Sequence, residues 1–302
     1  MTTVRTKPLP GRNAFVYRPT ASPQAAAQWT PRQVAMTNLR TVMGRAYPRV
    51  TGLFREKSWI AFEILLPFLA TSAFVFVYRA LGAPPQYVGF VVLGGAMTAF
   101  WLNVIWSMSA QLYWEKDNGN LALYIMAPNS LMAILLGMAL GGLIATALRA
   151  AVIIAVGILA FHVSFSVSHF GLLFAVFLIT MAALYGMGML FASLFLLYGR
   201  NMWQINIAMQ EPIYFISGLY FPEKTFGTVI SLAASIVPMT LGMDAMRQLM
   251  FASGSTIGFL SVRTEITALL VLAIAFVTAA KFWLDKMERL AIKEGTLTDR
   301  RR

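Results

Sequence analysis

No cysteine occurs in the 302 residues, and histidine occurs only twice. The first absence excludes disulfides, thiol nucleophiles and thiolate metal sites together, and leaves the redox compartment unmarked. The second leaves His162 and His169 as the whole imidazole supply, so an all-protein metal centre would have to recruit carboxylates far away in sequence. Charge is scarce as well: Asp, Glu, Lys and Arg make up 12% of the chain against 58% apolar residues, about half the charged fraction of an ordinary soluble domain. A Gly-x-x-x-x-Gly-Lys phosphate loop, a His-x-x-x-His pair and a His-Glu pair are also missing, so the chain has no catalytic constellation or cofactor site of its own to offer.

What is present is long apolar sequence. Charge-free windows cover 80–114, 118–148 and 150–199, each longer than the roughly 20 apolar residues that cross a bilayer as a helix. The pattern predicts an all-α integral membrane protein of six spans. Four are expected at about Trp59–Tyr78, Tyr87–Tyr113, Leu131–Phe161 and Phe170–Tyr198, the last two parted by a short polar loop at His162 to His169. A fifth, about Ile205–Phe221, is broken at Pro222, and the run Phe226–Val237 before Pro238 is too short to cross as a helix and reads as re-entrant or interfacial. Met239–Phe251 mixes Leu241, Ala245, Met246 and Leu249 with Asp244, Arg247 and Gln248 in a helical rhythm, which suits a helix lying along the surface. The sixth span is expected at about Thr264–Leu284.

Six spans put both termini on one side, and basic residues say which. Residues 1–57 carry ten Lys and Arg, residues 281–302 carry seven, and the loops on their side add Lys116 and Arg200; the other side has only Arg79, Lys224, Arg247 and Arg263. By the positive-inside rule both termini are cytoplasmic, as expected of a multi-pass protein of the plasma membrane. The net charge of +12 is thereby explained by topology, and no nucleic acid is implied. Four regions follow: a disordered basic tail at 1–30, an amphipathic connecting helix at 31–57, a membrane domain at 58–285 and a basic cytoplasmic tail at 286–302. In the connecting helix, Met36, Leu39, Met43, Tyr47, Val50 and Phe54 form an apolar stripe, and Arg32, Arg40, Arg45, Arg49 and Arg55 decorate the rest. Such a helix suits the anionic lipids of the inner leaflet, with Pro48 expected to kink or interrupt it.

Within the spans, Glu63, Arg149 and Glu211 stand out, because an intramembrane charge is costly and points to function. An internal ion pair of Arg149 with Glu63 or Glu211 is the plainest reading, ahead of substrate contact or a proton relay. Glycines clustered at 94–95, at 137 with 141–142, and at 186 with 188 suggest close helix packing.

The segment 115–130 is the most informative. Glu115, Lys116 and Asp117 open it, Gly119 follows, Leu121, Leu123 and Tyr124 make an amphipathic turn, and Pro128 closes it before the third span. It resembles the cytoplasmic loop of ABC-2 type permeases, which place a Glu, a Gly, a Leu-rich short helix and a Pro there. A second resemblance is Ser217-Gly218-Leu219-Tyr220-Phe221-Pro222, similar to the family's Ser-Gly-x-x-Phe-Pro element and followed by Pro238, Met239, Thr240 and Arg247. Together they cover about residues 31–285. The sequence departs from the family pattern at Ala122, where an acidic residue often follows.

The resemblance implies a permease subunit without its own motor, pairing with an identical or paralogous permease chain and docking a separate nucleotide-binding ATPase subunit that holds ATP and Mg. Glu115, Lys116, Asp117, Gly119, Leu121, Leu123, Tyr124 and Pro128 would form the coupling site, and Ser217, Gly218, Phe221, Pro222, Pro238 and Arg247 an outer gate. The expected cargo is an amphipathic drug, lipid or lipid-linked glycan moved outward among membrane lipids. The alternatives are an ion- or proton-coupled secondary carrier using Glu63, Glu211 and Arg149, and a membrane-embedded lipid-modifying enzyme using His162 or His169 with Glu211.

Overall fold

A computed structural model describes residues 30–55, 57–127, 129–167, 169–199, 201–251 and 258–294. All of the tail expected at 1–30 except Thr30, together with Pro128 and the last eight residues of the carboxy-terminal tail, lies outside them. The described residues are mostly helical and form no strand. In chain order the helices are α1 (Pro31–Arg55), α2 (Lys57–Ala80), α3 (Gln86–Leu102), a π-helical stretch Asn103–Met108, α4 (Gln111–Asp117), α5 (Leu121–Met126), α6 (Leu131–Phe161), α7 (Phe170–Tyr198), α8 (Asn201–Ile216), α9 (Thr228–Ala234), α10 (Pro238–Met250) and α11 (Val262–Glu294).

Among the described residues, five helices are long and apolar enough to cross a bilayer: Ala61–Ala80, Gln86–Asp117, Leu131–Phe161, Phe170–Leu196 and Val262–Leu290. The segment expected to hold the broken fifth span is not one helix: α8 ends at Ile216, and α9 and α10 meet at an angle of 111°. The span made of α3, the π stretch and α4 is the axis of the bundle: nearly every residue from Val88 to Trp101 is buried. α11 packs along α7, and α2 and α6 flank α3.

Lipid tails are as apolar as leucine, so close packing by small residues replaces the hydrophobic effect between spans. α1 lies against the first half of α6, where a Cβ at Gly137 would stand 2.6 Å from the Val42 carbonyl and one at Gly141 2.8 Å from that of Ala46. This Gly-x-x-x-Gly pair is a seat for α1. Pro48, expected to kink or interrupt the helix, does not interrupt it. Four residues earlier stands Gly44, both positions are exposed, and water can take the carbonyl that Pro48 leaves without a donor.

The expected surface helix is in fact buried: from Pro238 to Arg247 every residue of α10 is out of solvent, against α3, α7 and α11. Its Asp244 carboxylate accepts from the backbone N–H of Phe259 at 2.7 Å, and Gly242 sits tightly on Thr180. Polar groups matched in this way can leave water.

Candidate functional site

The first candidate site is built where α1, α4 and α5 meet. α4 continues the central span to Asp117, and Gly119 turns the chain with φ +79°, a conformation that L side chains rarely adopt. Glu115 is 8% exposed and faces inward. Its Oε1 accepts from Arg45 of α1 at 2.7 Å and from Gln111 at 3.3 Å, and its Oε2 from Asn120 at 2.9 Å. The Arg45 guanidinium also lies over the Tyr124 ring, 4.7 Å from its centre. Burial, reinforced by a hydrogen bond to Glu115, pushes the Tyr124 hydroxyl up to about 12, so the phenol stays a donor at any physiological pH. One helical turn on, Arg49 bonds the Gln111 side chain at 2.8 Å and the Ser107 hydroxyl. Two arginines thus clamp α1 to the lower end of the central span.

Leu121 is buried, whereas Asp117, Gly119, Leu123 and Met126 face outward and Lys116 is half-buried. The expected coupling residues therefore divide into an inward set that anchors the short helix and an outward set that presents it. Sequence reasoning missed Arg45 and Arg49, which it placed among lipid headgroups. Their spacing of four put both on one helix face, but nothing marked that face as the inner one. The apolar stripe Met36, Leu39, Met43 and Tyr47 is the face left exposed.

Glu63, the third residue of the apolar span Ala61–Ala80, pairs with Arg149 of α6, one of the two ion pairs expected from the sequence. α6 has 31 residues, longer than a bilayer core needs, and its first turns pack on α1. Arg149 also donates to the Ala145 carbonyl at 3.3 Å and to Thr146 at 3.1 Å. The pair borders a cleft of about 600 Å³ between α2, the central span and α8, walled by Phe62, Trp106, Trp114 and Trp203. Trp203 stacks near Trp106 at 5.7 Å and near Trp114 at 6.1 Å. A second cleft of about 510 Å³ adjoins it, sharing Leu66, Pro67 and Leu102, and holds Glu211. Glu211 is thus brought to the same groove but not into the ion pair. His162 lines a different cavity, with Arg79 and Phe161 on the opposite end of the bundle, so the histidine and carboxylate of a lipid-modifying site are not together.

Beside the first cleft, the π-helical turn leaves backbone groups unpaired. Asn206 of α8 fills that gap, donating to the Ile105 carbonyl at 2.7 Å and to Ser109 at 3.1 Å. Tyr185 of α7 donates to Asn103 at 3.0 Å.

The second candidate site lies where α8 stops. Ser217 is buried, Gly218 turns the chain with φ +72°, and the next three residues lie outside any helix. Such groups need donors at membrane depth. Arg247 of α10 donates to Leu219 at 3.0 Å and to Phe221 at 3.4 Å, while the Tyr78 hydroxyl takes Tyr220 at 3.1 Å. Arg247 also reaches the Phe90 carbonyl at 3.3 Å and lies over that ring. Leu219 is pressed onto Gly94 of α3, where any side chain would collide with its carbonyl. Pro222 ends the turn and Pro238 starts α10. Ser217, Gly218, Phe221 and Pro222 thus share one knot on the central span with Arg247, while Pro238 opens the helix that carries Arg247.

Residues 49–251 match the family described as ABC-2 type transporter. A comparison with curated proteins finds no match.

Proposed function

Because the chain belongs to the ABC-2 type transporter family, as a multi-pass permease subunit of the membrane, we propose that it moves an amphipathic drug or lipid outward under the power of a separate ATPase. Permeases of this family work with a nucleotide-binding subunit and a second permease chain. In this reading ATP and Mg are held by that subunit, and both termini of this chain are cytoplasmic, in the plasma membrane.

The observation that carries the reading is the anchoring of α5. A short helix transmits a push only if it cannot swing, and Glu115 of α4 accepts both from Asn120 at the head of α5 and from Arg45 of α1, whose guanidinium lies over Tyr124 of α5. Closure of a subunit bearing on Leu123 and Met126 would displace α1, α4 and the central span as one body. At the far end of that span, Gly94 seats Leu219 of the outer knot, so the same displacement would bear on the exit. The groove beside the span, from the tryptophans to Tyr220 and Phe221, opens on the surface of the single chain, and a second permease chain would enclose it. Its walls are apolar and aromatic with few amides, which favours a drug or lipid over a lipid-linked glycan.

The test is to tag the full chain, extract it gently from its native membrane and identify what co-purifies. A stoichiometric nucleotide-binding subunit with ATPase activity is expected. A chain that purifies alone, in detergent and in lipid nanodiscs, overturns the proposal.

A further inference from the structure

Resting on that reading of the groove as the cargo path, the geometry points to a narrower cargo class: amphipathic organic cations, held first at Glu63 and then at Glu211. Three observations carry it. The two adjoining clefts are bordered by three ionisable side chains other than tyrosine: Glu63, Arg149 and Glu211. Arg149 is spent within the protein, since its Nε goes to the Ala145 carbonyl, one terminal nitrogen to Thr146 and the other to Glu63. Its side chain is 9% exposed against 33% for Glu63, so a ligand in the cleft meets the carboxylate and not the guanidinium.

Arg149 meets Glu63 through Oε2, and the Glu63 carboxylate borders the first cleft. Glu211 is exposed, with its Oε1 accepting from Gln210 at 3.4 Å. The groove therefore presents two acceptor-only groups and no available cation. An anion would find no donor of opposite charge; a cation would find one at each stage.

The walls agree with this. Trp106, Trp114 and Trp203 form one cluster on the concave side of the first cleft, whereas tryptophans that only anchor a protein in the interface stand singly toward lipid. Ring faces attract cations, tryptophan most strongly, and more so where water is sparse. Farther along, Tyr214, Phe215, Tyr220 and Phe221 surround Glu211 in the second cleft. A flat or bulky apolar cation could thus stay against aromatic faces while its charge passes from one carboxylate to the next, never crossing the groove unpaired.

The test uses tetraphenylphosphonium and tetraphenylborate, apolar ions of similar shape and opposite charge. Binding to the full chain in nanodiscs is read by quenching of tryptophan fluorescence, with empty nanodiscs subtracted for partition into lipid. Saturable binding of the cation at least about tenfold tighter than of the anion is expected, and Glu63→Gln should weaken the cation about tenfold. Trp203→Leu should weaken it too while leaving the Arg149 pair intact, which keeps the test open if Glu63→Gln fails to fold. Equal or tighter binding of the anion, or cation binding untouched by either substitution in folded protein, overturns the inference. ATPase co-purification is read without either probe, so a cargo inference that fails leaves the permease reading standing, and the reverse holds as well.

Discussion

Glu115 accepts from Arg45, Gln111 and Asn120 at once, and its loss would strand donors on three elements. A hydrogen bond to a charged group contributes about 1.5–3 kcal/mol, and a charge left without its partner costs more than the bond was worth. Glu115→Ala is therefore expected to destabilise the chain by about 2 kcal/mol, seen as a lower thermal midpoint, and to abolish ATPase coupling. The reversed pair, Arg45→Glu with Glu115→Arg, should recover part of both, an outcome that loss of bulk alone would not produce. Arg247 bears on the other end of the central span. With Arg247→Met, similar in length but without donors, the carbonyls of Leu219, Phe221 and Phe90 lose a partner at membrane depth, at about 1–3 kcal/mol for each one left unsatisfied. Amide exchange across 217–226 should then quicken while exchange in α6 stays unchanged; a uniform change would mean that Arg247 supports the whole bundle and not the outer knot.

At the scale of elements, α5 has two faces with different work to do. Leu121 is 4% exposed and Leu123 is 59% exposed. A charge at the first position must be buried and at the second need not be. Leu121→Asp should lower the thermal midpoint, whereas Leu123→Asp should leave it unchanged and yet detach the nucleotide-binding subunit on co-purification. If Leu123→Asp keeps its partner, docking lies elsewhere on the cytoplasmic surface. The elements themselves were largely legible. Charge-free runs mark α6 and α7 to within a residue at their starts, because Ser130 caps one and the polar loop at 162–169 precedes the other. Pro222 and Pro238 mark the broken segment. The π-helical stretch was not legible, since Asn103–Met108 has the composition of any apolar helix and its stabiliser, Asn206, is about 100 residues away. The burial of α10 was hidden for a related reason. Asp244 and Arg247 give it the pattern of an interfacial helix, and what allows them inside is a set of backbone groups at 90, 219, 221 and 259 that no local pattern reveals. Of the cytoplasmic site, Glu115 was visible through its neighbours in sequence, but its partner Arg45 lies 70 residues earlier.

Across the whole molecule, charge and packing describe one axis. By the expected topology, nineteen of the 24 basic residues belong to the side of α1 and α5 and four to the opposite side. The end that carries α1 is clamped by arginines on carboxylate and amide groups, whereas at the knot Arg247 and Tyr78 donate to bare carbonyls. Bonds from a charged donor to a carboxylate are stronger than those to a neutral carbonyl, so a push delivered at the inner end would be conserved through the central span and spent where the contacts are weakest, at the exit. That polarity requires α5 and α9 to lie on opposite sides of the membrane, with α5 inside. The absence of cysteine makes this directly measurable, because an introduced thiol has no background. Leu123→Cys on α5 and Val229→Cys on α9, 59% and 82% exposed, provide one probe for each side. In intact cells a membrane-impermeant maleimide should modify Val229→Cys and spare Leu123→Cys until the membrane is opened. The reverse pattern would turn the permease over, place its basic end outside against the positive-inside rule, and leave an internal ATPase nothing to push.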